Sequence, residues 1–110
     1  PVVSAGPVGY GYQVPYAEKL KKEAEIQTMA VGLIVHADQA EDILISGRAD
    51  LIAIAREAMQ NPNWPLDAAQ KLNAQEPFSL MPSPYKYWLE KRAKQVEDLI
   101  PSTHTSGIKA

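Results

Sequence analysis

Two short segments hold the residues whose types and spacing could do chemistry. In Ala30-Val31-Gly32-Leu33 a glycine sits near the end of an apolar run. A glycine at the C-terminal end of a buried strand lets a ligand approach the backbone, and its N–H can point at an anion just outside the sheet. In Ile54-Ala55-Arg56-Glu57 a second apolar run passes directly into a helical stretch, with an arginine at the junction. Helix N-termini favour anions through free N–H groups and the dipole, and a guanidinium adds a planar charged fork. Each segment also has a plainer reading. Gly32 could serve a bulge or a tight packing contact, and Arg56 could pair with Glu57, Asp50 or another surface carboxylate. Their joint occurrence on consecutive strand ends favours phosphate, because (β/α)8 barrels often hold phosphate where the last strands meet a short extra helix.

Positioning these groups takes a definite order of elements. Residues 1–14 contain three glycines, two prolines and two tyrosines without a regular period, which reads as a loop. Pro15 suits a helix start and predicts a helix over 16–25. Residues 28–35 are nearly continuously apolar, the pattern of a strand buried on both faces of a parallel sheet. Ala40, Ile43 and Leu44 mark the inner side of a helix over 37–46, with Gly47 as its terminator. Residues 50–55 repeat the buried-strand pattern, and 56–60 form a short helix stopped by Asn61-Pro62. Further helices are expected over 65–72, with Trp64, Leu66, Ala69 and Leu72 inward, and over 84–99.

The fold class is therefore α/β, with two parallel strands joined by a helix in a right-handed crossover. Two such strands need helices on both faces and more strands beside them. A whole (β/α)8 barrel takes about 250 residues, so the pattern predicts the C-terminal part of a (β/α)8 TIM barrel, its last two strands with their helices. Residues 1–14 would be a loop of the barrel's active-site face, 15–99 the terminal βα units and helices, and 100–110 a Ser/Thr/Gly-rich disordered tail.

The totals remove other chemistries. A net charge of −2 lacks the basic excess of a nucleic-acid groove. No apolar run reaches the roughly 18–20 residues of a membrane span, and no secretory pattern opens the chain. With no cysteine and only His36 and His104, disulfides, cysteine–zinc sites and histidine-rich metal sites are excluded, and a cytoplasmic location is expected. Gly6, Gly9 and Gly11 do not make a dinucleotide fingerprint, since no strand precedes them. His36 reads as a capping or loop residue, and residues 90–94 as a solvated helix face. Tyr85, Tyr87, Trp88 and Leu89 anchor the terminal helix in its own domain or reach a neighbouring subunit; pattern alone favours the former.

In consecutive order, several segments resemble one family. Gly11-Tyr12-Gln13-Val14-Pro15-Tyr16-Ala17-Glu18, Thr28-Met29-Ala30-Val31-Gly32-Leu33-Ile34, and Gly47-Arg48-Ala49-Asp50-Leu51-Ile52-Ala53-Ile54-Ala55-Arg56-Glu57 are similar to segments of the Old Yellow Enzyme family, in its YqjM-like and xenobiotic-reductase branch. Asn61-Pro62-Asn63-Trp64-Pro65-Leu66-Asp67-Ala68-Ala69 and Pro84-Tyr85-Lys86-Tyr87-Trp88-Leu89-Glu90 resemble its later segments. The resemblance implies an FMN-dependent ene-reductase in which NAD(P)H reduces the flavin and the flavin reduces an activated alkene. It places Gly32 and Leu33 on the seventh strand, and Ala55 and Arg56 on the eighth, against the FMN phosphate. Ala55 stands where glycine is commoner, and His36-Ala37 where Asp-Pro is frequent. Trp88 matches an aromatic that enters the partner subunit's substrate pocket, which turns the aromatic stripe toward an interface role in a dimer or higher homo-oligomer. The groups that polarise the substrate and donate the proton belong to earlier strands, so this chain is expected to hold no catalytic residue and to need the remaining N-terminal part of the barrel. Two other readings stay open: another phosphate-binding barrel, and a non-catalytic α/β interaction module.

Overall fold

The computed structural model describes residues 8–95, which fall into two compact units, one ending at Gln60 and the other beginning at Asn61. The expected tail, the first residues of the N-terminal loop and the end of the last helix lie outside the described residues.

In the first unit, residues 8–13 are irregular and lead into helix α1, Val14–Ala24. Pro15 stands in its first turn, where a missing N–H costs nothing, and Lys21 and Lys22 complement the dipole in its last. Strand β1 (Met29–Ala30), helix α2 (Ala37–Ile45), strand β2 (Leu51–Ile52) and the short helix α3 (Arg56–Gln60) follow. The two strands are parallel and in register, Met29 opposite Leu51 and Ala30 opposite Ile52. Helix α1 packs on β1 and α2 on β2. The core is Val14 and Ala17 from α1, Ala30 and Ile34 from the first strand segment, and Ala37, Ala40 and Ile43 from α2. Helix α2 stops as its composition predicts. Gly47 adopts φ +75°, its N–H donates to the Leu44 carbonyl, and the Arg48 N–H donates to that of Ile43, a Schellman end that a left-handed glycine permits at little cost.

Two sequence expectations change here. The paired strands are far shorter than the apolar runs, and they are not covered on both faces: Met29 is 55% exposed, Leu51 58% and Val31 45%. Among the described residues each strand pairs with one neighbour, and an apolar run marks a segment suited to burial on both faces without fixing how much of it is paired. Leu44, expected inward, is also exposed.

The second unit holds helix α4 (Trp64–Lys71), a 3-10 turn at Pro77–Leu80 that periodicity does not predict, and helix α5 (Ser83–Gln95). Asn61 prepares α4: its Oδ1 accepts the Asn63 N–H at 3.1 Å, and its Nδ2 donates to Asp67 at 2.5 Å. Leu66 and Ala68 are buried, while Leu72 is exposed although its position predicted the inner face. Asn73, at φ +54°, ends α4 in the way Gly47 ends α2. No residue of α5 is buried. Among the described residues no helix is long and apolar enough to cross a membrane.

Ion pairs tie the N-terminal ends of the strands to α1. The Asp50 carboxylate accepts Lys21 Nζ at 2.6 Å and the Thr28 N–H at 2.9 Å, joining the residues just before β2 and β1. Glu18 accepts both Lys22 Nζ at 2.6 Å and Arg48 Nε at 2.9 Å. The Lys21 ammonium and then the Thr28 amide hold the Asp50 carboxyl below its ordinary value; Lys22 and then Arg48 do the same for Glu18. A depressed folded-state pKa contributes stability that is present above the unfolded value and lost as pH falls through the folded one. Stability should therefore fall from about pH 4.5 downward, where free carboxylates begin to protonate. Urea midpoints measured between pH 7 and pH 3 should show this slope, and Asp50→Asn should lower the neutral-pH midpoint and flatten the acid limb.

Candidate functional site

Because β1 and β2 are parallel and in register, the residues that leave their C-terminal ends emerge side by side. Residues 31–34 and 53–57 line a cleft of about 150 Å³, closed by Tyr12 and Gln13 from the turn before α1. Gly32, Leu33, Ala55 and Arg56, the residues singled out from the sequence, all border this one cleft. Its volume lies below the roughly 300–1,000 Å³ of pockets that enclose a whole drug-sized ligand; it suits one end of a larger molecule.

The floor of the cleft is a left-handed turn. Gly32 has φ +113° and Leu33 φ +48°. A leucine in this region is less stable by roughly 1–2 kcal/mol than in its usual conformations, so something must hold it. The Leu33 carbonyl accepts two hydrogen bonds, from the Gly11 N–H at 3.1 Å and from Gln39 Nε2 at 3.0 Å. The other end of the Gln39 side chain accepts the Val35 N–H at 2.9 Å and the His36 N–H at 3.3 Å. His36 itself is the extended residue that opens α2, with its ring 5.2 Å from that of Tyr10; it is a helix-entry residue, as its position suggested.

Gly32 is required by the fold as well as by any ligand. A Cβ there would lie 3.1 Å from both Tyr12 Cε1 and Gln13 Oε1, in a backbone conformation that L side chains avoid. The close-packing reading of this glycine is therefore borne out.

The opposite wall carries the charge. No acceptor among the described residues takes the N–H groups of Gly32, Leu33, Ala55 or Arg56. Nor does the Arg56 guanidinium make an ion pair among them: Asp50 is engaged by Lys21, and Glu57 does not pair with it. Among the described residues, neither Glu57, Asp50 nor another carboxylate takes up the Arg56 charge. Helix α3 has only five residues, so its dipole is small, and the attraction for an anion rests on the guanidinium and the free amides. Ala55 is not among the positive-φ positions; alanine in place of glycine strains nothing there.

Tyr12, Gln13 and Gln39 were given no role from the sequence. Gln39 alone left a signal, as a glutamine three residues into a helix that follows an apolar run, the acceptor position of a capping box. Trp88 belongs to α5 in the second unit. It is 65% exposed, edge-on to the Tyr87 ring at 5.1 Å, and Lys91 Nζ lies 5.4 Å from each ring centroid. Tyr85 and Tyr87 are exposed as well, while Leu89 is half-buried and α5 packs on the 3-10 turn, so the aromatic members of the stripe do not anchor the unit as the pattern alone suggested.

The turn makes a paired prediction. Gly32→Ala should destabilise by about 1–3 kcal/mol through the forced φ and the close contact. Leu33→Gly should be nearly neutral, because relief of the left-handed leucine offsets the roughly 0.5–1 kcal/mol of added chain entropy. Denaturant titration of both variants measures the contrast.

Comparison with known proteins gives the chain its relatives. It is similar to an NADPH dehydrogenase of Geobacillus sp. (strain WCH70), 58% identical over 62 residues, which cover 56% of this chain and 18% of that protein. An NADPH dehydrogenase of Halalkalibacterium halodurans is 58% identical over 66 residues, 60% of this chain and 20% of the relative. One from Bacillus velezensis is 48% identical over 77 residues, 70% of this chain and 21% of the relative. The chain thus spans about a fifth of the length of these curated relatives. The NADH:flavin oxidoreductase / NADH oxidase family profile matches residues 2–75, which include both walls of the cleft. This chain belongs to the NADH:flavin oxidoreductase / NADH oxidase family.

Proposed function

We propose that this chain is the C-terminal part of an FMN-dependent NAD(P)H oxidoreductase with a (β/α)8 barrel, and that its cleft takes the phosphate of FMN. One observation carries the reading: backbone N–H groups from two adjacent strand ends and a guanidinium, none with an acceptor among the described residues, border a single small cleft. That donor set fits a phosphate, which needs several convergent N–H groups and compensating positive charge. Family membership and relatives named NADPH dehydrogenase support flavin and NAD(P)H as the redox partners. The exposed Met29, Val31 and Leu51 support completion of the sheet by the remaining, N-terminal part of the barrel.

In this reading the bound flavin supplies hydride transfer from NAD(P)H to an activated alkene. The residues of this chain bind and orient. Arg56 neutralises phosphate charge, the amides of Gly32, Leu33, Ala55 and Arg56 fix its position, and Tyr12 and Gln13 narrow the entrance. The groups that polarise the alkene and deliver the proton fall on earlier strands. On α5, the exposed Trp88, with Tyr85 and Tyr87, forms a contact in a dimer or higher homo-oligomer; aromatic residues on a helix without buried positions support this. A cytoplasmic location accords with the lack of cysteine.

The complete protein should carry a flavin absorption spectrum and oxidise NADPH or NADH in the presence of an activated alkene; a colourless protein that takes up no FMN would overturn the assignment. Arg56→Ala should weaken FMN binding about 5- to 100-fold, the worth of a charge-assisted contact, read from the fluorescence of released flavin. Trp88→Ala should shift the protein toward monomer in analytical ultracentrifugation, as loss of a buried aromatic anchor does.

A further inference from the structure

We propose that Gln39 is a positioning residue of the cleft: by clamping the Leu33 carbonyl, its side chain holds Leu33 in its left-handed conformation and so sets the direction of the Leu33 and Ile34 amides on either side of it. The inference rests on the reading of the cleft as the FMN phosphate site. A carboxamide offers two donors on nitrogen and an acceptor on oxygen, and Gln39 uses both ends. A residue serving only to cap α2 would need the oxygen alone, on the His36 and Val35 amides. Here the nitrogen also reaches back across six positions to the Leu33 carbonyl at 3.0 Å. That carbonyl belongs to the left-handed residue of the turn. The peptide unit is planar, so fixing the Leu33 C=O fixes the Ile34 N–H of the same unit on the opposite side, and Ile34 borders the cleft together with Leu33. Without the clamp, Leu33 relaxes toward a negative φ, and the amides bordering the cleft turn with it.

The turn before α1 is part of the same device. The Gly11 N–H shares the Leu33 carbonyl with Gln39, and a Cβ on Gly11 would lie 3.5 Å from Gln39 Nε2 and 3.3 Å from Val14 Cγ2. A glycine at φ +66° thus leaves room for the glutamine to cross. Gln39 does not line the cleft itself; it acts through its bond to Leu33.

The complete barrel protein tests this through two flavins that differ by the phosphate. Dissociation constants for FMN and for riboflavin are measured on the apoprotein of wild type, Gln39→Met and Gln39→Glu, together with the thermal midpoint of each. The methionine variant keeps the volume and loses every hydrogen bond; the glutamate variant keeps the acceptor for Val35 and His36 and loses the donor to Leu33. Both should lower the preference for FMN over riboflavin about tenfold, the effect of one or two misaligned hydrogen bonds, with riboflavin affinity unchanged. Equal loss for both flavins, or no loss, overturns the inference and assigns Gln39 to general structure. Should the methionine variant fail to fold, the glutamate variant decides. A lost preference that persists in high salt supports the clamp, and one that salt removes reflects through-space charge and overturns it. Wild type that binds neither flavin refutes the phosphate reading itself, an outcome distinct from the others.

Discussion

The parallel, in-register pairing of β1 with β2 is the constraint on which the first unit depends. Register decides which backbone atoms of two chain segments, more than twenty residues apart, stand level with one another. With Ala30 opposite Ile52, the Ala53 N–H donates to the Ala30 carbonyl at 2.8 Å. The chain beyond each strand then leaves the sheet at the same height. A shift of one residue would exchange the faces of every side chain and offset Gly32 from Arg56 by a strand step of about 3.3 Å. That offset exceeds the tolerance of a hydrogen bond.

The unit divides its chemistry by strand end. At the N-terminal ends, side-chain charges compensate one another, Asp50 with Lys21 and Glu18 with Lys22 and Arg48, and the Thr28 backbone N–H also donates to Asp50. At the C-terminal ends, backbone donors and one arginine lack such compensation among the described residues. Satisfied charges hold the fold, and unsatisfied donors are available to a ligand. Parallel α/β folds commonly divide stability and ligand binding between the two ends of their strands in this way.

Much of this was legible in the sequence because local rules govern it. Pro15 in a first helical turn, Gly47 past the end of α2 and Asn61-Pro62 after α3 each act within a few residues, and the structure places its helix ends accordingly. Gly32 and Arg56 were legible as a pair because consecutive strand ends in a parallel sheet must be neighbours. The clamp on Leu33 was not, because a left-handed leucine has no compositional mark and its two donors come from other elements. Strand length was misread for a different reason. An apolar run reports the burial a segment is built for, and hydrogen-bonded pairing reports the partners it has. Trp88 shows the same distinction: its spacing resembled a core stripe, yet α5 buries nothing.

Among the described residues the two-stranded sheet has an outer edge on each strand, since each has a single partner there. Such edges carry rows of N–H and C=O groups ready to extend the ladder, and here they are flanked by Met29, Val31 and Leu51. The edges are chemically alike, so hydrogen bonding by itself does not distinguish a correct neighbouring strand from a second copy of the same segment. Discrimination falls to side-chain shape and to timing. Left uncovered, such edges make self-association an outcome open to the chain, and one that rises with its concentration.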